Sequence, residues 1–350
     1  MLDGGMDVSL FDYDLPLELI AQEPAEPRDA SRLLAVDRAR GSLKDRRFGD
    51  LTTLLGPGDC LVANRSKVIP ARLLGALEVD GRPVELLMLR ALAPARWEAL
   101  VKPGRRCRPG TRVLVAGGAA RATVVCQTAA GARILDLEAP WPVRELLERH
   151  GLPPLPPYIA RHDAPRPEDR ARYQTVYARH EGSIAAPTAG LHFTLELIER
   201  LRERGVEFHH LTLHVGPGTF RPIRGSRVES HRMDREDVEI PEETADAVNR
   251  ARAEGRRVIA VGTTTTRALE WAAGPGRRVQ AGRGAADLYI YPGYSFKTID
   301  GLITNFHLPR STLLLLVSAF CGRDLALAAY RHAVTARYRF YSYGDAMLVT

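Results

Sequence analysis

Cysteine is scarce and does not pair. Cys60, Cys107, Cys126 and Cys321 lie far apart with no Cys-x-x-Cys among them. Neither a zinc knuckle nor a disulfide framework is indicated, and no His-Glu-x-x-His run offers another metal site. Long hydrophobic runs are missing too. The apolar stretch 313–320 is far short of the ~20 residues that cross a bilayer and reads as a buried helix. The first residues carry Asp3 and Asp7 where a signal peptide would have an apolar core, so the expected compartment is the cytoplasm and no membrane partner is expected. There is no long block of one charge sign, no internal repeat and no low-complexity tract. No Gly-rich dinucleotide fingerprint follows an early strand. Gly216-Pro217-Gly218 does not qualify, because Phe220-Arg221-Pro222 cannot open a helix.

What is present is an ordinary globular composition, 45% apolar and 26% charged, over 350 residues, which suggests two domains. The net charge of +7 comes largely from arginine and fits a polyanionic partner.

The pattern along the chain changes twice. Up to about residue 65 it is mixed, with short helices expected near 15–22 and 48–55 and strands at 32–36 and 60–63. From 70 to 138, five short β-type runs (83–89, 97–101, 111–115, 122–125 and 133–137) are separated by Gly, Pro and Asp turns, as in a small antiparallel barrel or sandwich. Residues 151–158, with four prolines, read as a stiff connection. Beyond 158, helices and strands alternate: helices at 195–204, 242–254, 264–272, 311–321 and 325–338, strands at 206–215, 257–261, 287–291 and 302–306. Alternation of this kind predicts a largely parallel sheet covered by helices. The expected architecture is therefore an α/β domain made of residues 1–69 and 158–350, interrupted by an inserted β-barrel domain at 70–157.

Several polar turns fall at predicted strand ends. In residues 183–194 an apolar run breaks at Pro187 and Gly190 and hands over to a helix, with Thr188 four residues before His192. A strand feeding a helix through such a turn presents free backbone N–H groups to an anion. Gly262-Thr263-Thr264-Thr265-Thr266-Arg267 follows a strand directly and opens a helix. One threonine would cap it, and the rest, with Arg267, suggest a seat for carboxylate or phosphate. His210 and His214 share a strand face, and His192 and His231 are available to join them. Imidazoles without metal suit proton transfer near neutral pH. Thr304-Asn305-Phe306-His307 ends another strand. Residues 338–345 interleave aromatic rings with Arg339 and Asp345, a composition that can stack a base and accept from a guanine edge.

Taken together, these blocks resemble the S-adenosylmethionine:tRNA ribosyltransferase-isomerase family of queuosine biosynthesis. The similarity runs through Phe11-Asp12-Tyr13, residues 29–34, 64–73, 173–177, 185–193, 213–220, 262–270, 291–294, 304–316 and 338–347. The chain departs from the family at Asp234, where a second histidine is usual in His-x-Met-His-x-Glu, while His231 and Glu236 match. Arg65 and Ser66 stand where Asn and Thr are usual.

The resemblance implies an α/β domain with an inserted β-barrel. It also implies transfer and isomerisation of the ribosyl part of S-adenosylmethionine onto 7-aminomethyl-7-deazaguanine at a tRNA wobble position. Epoxyqueuosine-tRNA, adenine and methionine would be the products. S-adenosylmethionine would be a co-substrate, with no prosthetic group and no metal. A sulfonium acidifies the adjacent 5′ carbon, and departing adenine needs a proton. His192, His214 and His231 are the expected base and acid, with Glu236 orienting one of them. Thr188, Gly190, Gly262, Thr263, Thr264, Arg267, Asn305 and His307 are expected to bind cofactor or substrate. Asn64, Lys67, Arg72, Tyr343 and Asp345 are expected to meet tRNA, and the protein to be a monomer. Two other readings stay open at this point: an S-adenosylmethionine-dependent RNA methyltransferase, and a tRNA-binding protein without catalysis.

Overall fold

The computed structural model describes residues 5–161, 166–216, 218, 223 and 225–350. Before the insertion the chain forms β1 (Arg32–Asp37), β2 (Ser42–Arg47), β3 (Cys60–Asn64) and β4 (Ser66–Val68). The insertion forms β5 (Arg72–Leu77), β6 (Pro83–Ala93), β7 (Arg96–Lys102), β8 (Arg112–Val115), β9 (Ala120–Gln127) and β10 (Arg133–Glu138). After it come β11 (His180–Ser183), β12 (Glu207–Leu213), β13 (Glu236–Ile240), β14 (Val258–Val261), β15 (Gly282–Ala286), β16 (Gly301–Asn305) and β17 (Ala346–Val349).

Nine of these build one sheet in the order β15-β13-β12-β3-β14-β16-β17-β1-β2. Its centre, β12-β3-β14-β16, is parallel, and its two margins close with antiparallel pairs. Strands β3, β14 and β16 are buried along their whole length, as parallel strands covered on both faces must be. Their alternating side chains divide two cores. Cys60, Val62, Val258 and Ala260 face the helices Glu242–Ala253, Thr263–Ala272, Thr312–Cys321 and Arg323–Thr335. Leu61, Ala63, Ile259 and Val261 face the helix Leu195–Glu203, which inserts Leu197, Ile198 and Leu201. Each of those three buried side chains contributes roughly 1.5–3 kcal/mol. At one edge, β2 carries Lys44, Asp45, Arg46 and Arg47, exposed charges that discourage pairing with another strand.

The insertion is a closed six-stranded barrel, β10-β7-β6-β5-β8-β9, every pair antiparallel. Leu73, Leu86, Met88, Val113, Val124 and Leu135 fill it, and the helix Val143–His150 packs Leu146 and Leu147 against that core. The chain enters and leaves through a narrow neck. The Arg72 N–H donates to the Leu152 carbonyl at 3.2 Å, and the Leu152 N–H returns the bond at 2.8 Å. Gly151 lies so close to the Pro70 carbonyl that no side chain fits there.

Local differences from expectation have simple causes. The helix expected near 15–22 is a single turn, Leu17–Leu19, which buries Leu19; the chain then turns extended at Ile20, which pairs with Phe340. No strand forms at 287–291; the pairing with β13 falls one segment earlier, on Gly282–Ala286. Part of the expected turn at 216–222 lies outside the described residues. Among the described residues, no single helix is long and apolar enough to cross a membrane.

Candidate active site

The carboxyl ends of the parallel strands meet in a narrow pocket of about 40 Å³. Six of the residues expected to bind cofactor or substrate line it: Thr188, Gly262, Thr263, Thr264, Asn305 and His307. Their convergence follows from topology, since β14 and β16 are parallel neighbours that end side by side. Gly262, at φ +92°, makes the turn from β14 into the helix Thr263–Ala272. The four threonines divide their work. Thr265 and Thr266 bond back to the carbonyls of Val261 and Gly262, while Thr263 and Thr264 border the pocket.

Behind this pocket runs a buried chain of hydrogen bonds. Thr188 Oγ1 donates to Asn305 Oδ1 at 2.9 Å, Asn305 Nδ2 lies 3.1 Å from His192 Nε2, and His192 Nδ1 lies 2.8 Å from Ser31 Oγ. The His192 ring stacks on Phe48, with centroids 4.9 Å apart. Burial, helped by the Arg339 and Arg28 charges, pushes its pKa down to about 3. Burial alone pushes His307 to about 3 as well, and its Nε2 lies 2.8 Å from Thr304 Oγ1.

A second cavity, about 820 Å³, opens between the barrel and the sheet. Leu89, Trp97, Leu100 and Leu147 give it an apolar wall from the insertion, and His214, Gly216, Asp234 and Glu236 face them. Val215 borders both cavities, so the two are neighbours. The His214 ring lies flat on Gly182, where a Cβ would come within 2.9–3.1 Å of its atoms. His214 Nδ1 is buried without a hydrogen-bond partner among the described residues. Burial holds this imidazole below its ordinary pKa, with Asp237 opposing. Glu236 accepts from the Gly216 N–H at 3.0 Å and pairs with Arg267 at 2.5 Å.

Several expected site residues stand elsewhere. His192 sits behind Asn305 and borders neither cavity. His231 packs its ring 5.3 Å from Tyr289 on a loop, and among the described residues it lines neither cavity. Arg267 pairs with Glu236 and gives one N–H to the Leu288 carbonyl, and it does not line the strand-end pocket. Gly190 abuts the Tyr177 hydroxyl and Thr175, an approach that serves packing. Asn64 is a buried clasp between β3 and β12, holding both backbone groups of Leu213. Lys67 and Arg72 pair with Glu181 and Glu85 at 2.9 and 2.8 Å. Asp345 is buried, and its carboxylate accepts the backbone N–H groups of Arg32 and Arg339. Tyr343 is buried against Tyr173.

Other residues take the places that sequence reasoning left open. Tyr158, Tyr341 and Ser342 line the pocket, with Tyr158 Oη 2.5 Å from Ser342 Oγ. Ser31 anchors the hydrogen-bond chain. Ser31 and Ser342 both sit inside blocks that carried the resemblance, yet a lone serine offers no spacing signal. Among the described residues, no three of His, Cys, Asp and Glu come together as a metal site.

The chain matches the family model described as queuosine biosynthesis protein over residues 8–349. It is 54% identical to the S-adenosylmethionine:tRNA ribosyltransferase-isomerase of Symbiobacterium thermophilum over 344 residues, covering 98% of this chain and 100% of that protein. It is 54% identical to the protein of the same name from Geobacter metallireducens over 346 residues, with the same coverage. The crystal structure of S-adenosylmethionine tRNA ribosyltransferase from Thermotoga maritima superposes with a TM-score of 0.55 at 39% identity, covering 98% of this chain and 100% of that one. The chain belongs to this family of transferases, the S-adenosylmethionine:tRNA ribosyltransferase-isomerases of queuosine biosynthesis.

Proposed function

We propose that this member of the family moves the ribosyl group of S-adenosylmethionine onto the aminomethyl nitrogen of 7-aminomethyl-7-deazaguanine at the tRNA wobble position. The ribose rearranges to an epoxycyclopentane, and adenine and methionine leave. The observation that carries the reading is the cleft of about 820 Å³ between barrel and sheet, bordered by His214 and Glu236 and adjoining the strand-end pocket at Val215. Its size is that of a small-molecule site, and its two walls differ in the way such a reaction needs. The apolar wall accepts a nucleobase, and the other carries a neutral imidazole.

His214 is the base in this reading. Its ring borders the cleft and takes the proton that the sulfonium makes acidic on the 5′ carbon. Glu236 is held by Arg267 and the Gly216 N–H, and so fixes the chain that leads away from His214. The pocket residues Thr188, Thr263, Thr264, Asn305 and His307 hold polar groups of S-adenosylmethionine, which enters as co-substrate with no prosthetic group needed. The barrel, residues 70–157 of a chain otherwise made of 1–69 and 158–350, presents exposed Lys102, Arg105, Arg106 and Arg108 to tRNA phosphates. The protein works as a monomer in the cytoplasm.

Tracking atoms tests the reading against methyl transfer, which shares its cofactor and partner. S-adenosylmethionine labelled in the ribose should label tRNA bearing the aminomethyl base, but not tRNA with plain guanine there. Methyl-labelled cofactor should label neither. Methyl label in tRNA, with S-adenosylhomocysteine as co-product, would overturn the proposal.

A further inference from the structure

The chain of contacts from Ser31 to Thr188 has a direction that the chemistry of its members dictates. An amide nitrogen only donates, so the 3.1 Å contact between Asn305 Nδ2 and His192 Nε2 requires Nε2 to be the bare acceptor nitrogen. The ring proton then sits on Nδ1, where Ser31 Oγ accepts it at 2.8 Å. With its nitrogen turned to the ring, Asn305 has its oxygen toward Thr188, and the Thr188 hydroxyl has committed its only proton to that oxygen at 2.9 Å. The side facing the pocket is therefore defined atom by atom. Asn305 retains one unused N–H, and Thr188 Oγ1 can act there only as an acceptor.

We infer that His192 is a positioning residue that sets the hydrogen-bond polarity of the Thr188–Asn305 pair for a ligand hydroxyl. A hydroxyl both accepts and donates, which matches an N–H beside an acceptor oxygen. The pocket at about 40 Å³ admits a group of that size. Among the described residues, neither carboxylate, ammonium nor guanidinium borders it, which suits an uncharged group. On the proposed function, upon which this step rests, the group is a ribose hydroxyl of S-adenosylmethionine. The ring is well placed to act as a fixed reference, because Phe48 stacks on it and burial keeps it neutral. A second proton on Nε2 would set N–H against N–H. The amide would turn over, and the Thr188 hydroxyl would point its proton into the pocket.

Two measurements test this. The first needs no substrate. Nitrogen-15 spectra of the intact protein should show His192 with a protonated Nδ1 and a bare Nε2 at pH 7, and a protonated Nε2 would overturn the inference. The second uses adenine release from S-adenosylmethionine with modified tRNA. His192→Gln keeps an acceptor toward Asn305 and should stay within about threefold of the unaltered protein in kcat/KM. His192→Leu removes that acceptor and should raise KM for S-adenosylmethionine roughly tenfold or more. If His192→Gln is as inactive as His192→Leu, the imidazole itself takes part and the inference fails. If the unaltered protein releases no adenine, the proposed function fails, and the nitrogen spectra still decide the tautomer.

Discussion

The guanidinium of Arg267 lies 2.5 Å from the carboxylate of Glu236, with each side chain only 3% exposed. The pair joins the helix that starts at the strand-end pocket to the strand that borders the larger cleft. A buried pair of this kind adds little net stability when complete but is costly to halve. Arg267→Leu should therefore destabilise the fold by about 3–5 kcal/mol in urea unfolding. Arg267→Leu combined with Glu236→Leu should recover part of that loss. A single variant within 1 kcal/mol of the unaltered protein, on the order of a surface change, would show that the pair is not what joins these elements.

Asp345 should prove to be a stability residue. Asp345→Asn removes a charged acceptor from the Arg32 and Arg339 N–H groups and should cost about 1–3 kcal/mol in unfolding free energy. The folded fraction should keep its KM for tRNA. A raised KM with unchanged stability would return Asp345 to base recognition.

Acid should weaken the fold through His192 and His307. Both rings take up a proton near pH 6.5 when unfolded and only near about 3 when folded. Below pH 6.5 the unfolded chain thus binds more protons, so stability is complete above that pH and is lost as pH falls toward 3. By pH 4.5 the loss should reach about 2–3 kcal/mol per ring. Replacing His307 by Gln should flatten the dependence of the urea midpoint on pH between 7 and 4.5. Parallel curves would contradict the burial argument.

Binding of tRNA should weaken steeply with salt, and the barrel should carry much of that slope. Replacing Arg105, Arg106 and Arg108 by Gln should lower it by roughly one per charge. Lys67 and Arg72 already answer Glu181 and Glu85, so their removal should change it less. An unchanged slope in the triple variant would move the contact surface off the barrel.

Much of this was legible in the sequence, for identifiable reasons. Alternating short runs announced the barrel strands, and the strand-to-helix turns at 187–190 and 262–267 marked strand ends that border the pocket. What stayed hidden depends on facing. Asp345 and Ser342 are three residues apart in one aromatic cluster, yet only Ser342 borders the pocket. Nothing in one dimension tells which residue of an irregular segment turns inward. His192 and His214 posed the same difficulty. Both looked like free imidazoles, and only packing shows one behind Asn305 and the other on a cleft wall. Glu236 and Arg267, 31 positions apart, gave no sign of pairing.

The neck at Arg72 and Leu152 also has a meaning for how such a chain can arise. Because Arg72, which opens the first barrel strand, and Leu152, just past the helix that packs on the barrel, are already hydrogen-bonded to each other, the host sheet meets the insertion as if it were a short loop. Closing a loop costs entropy by the distance between its ends, and here that distance is a single strand spacing. A lineage could therefore have acquired the barrel whole, lengthened its hairpins or replaced it by another module. The register of β3, β14 and β16 would not feel the exchange.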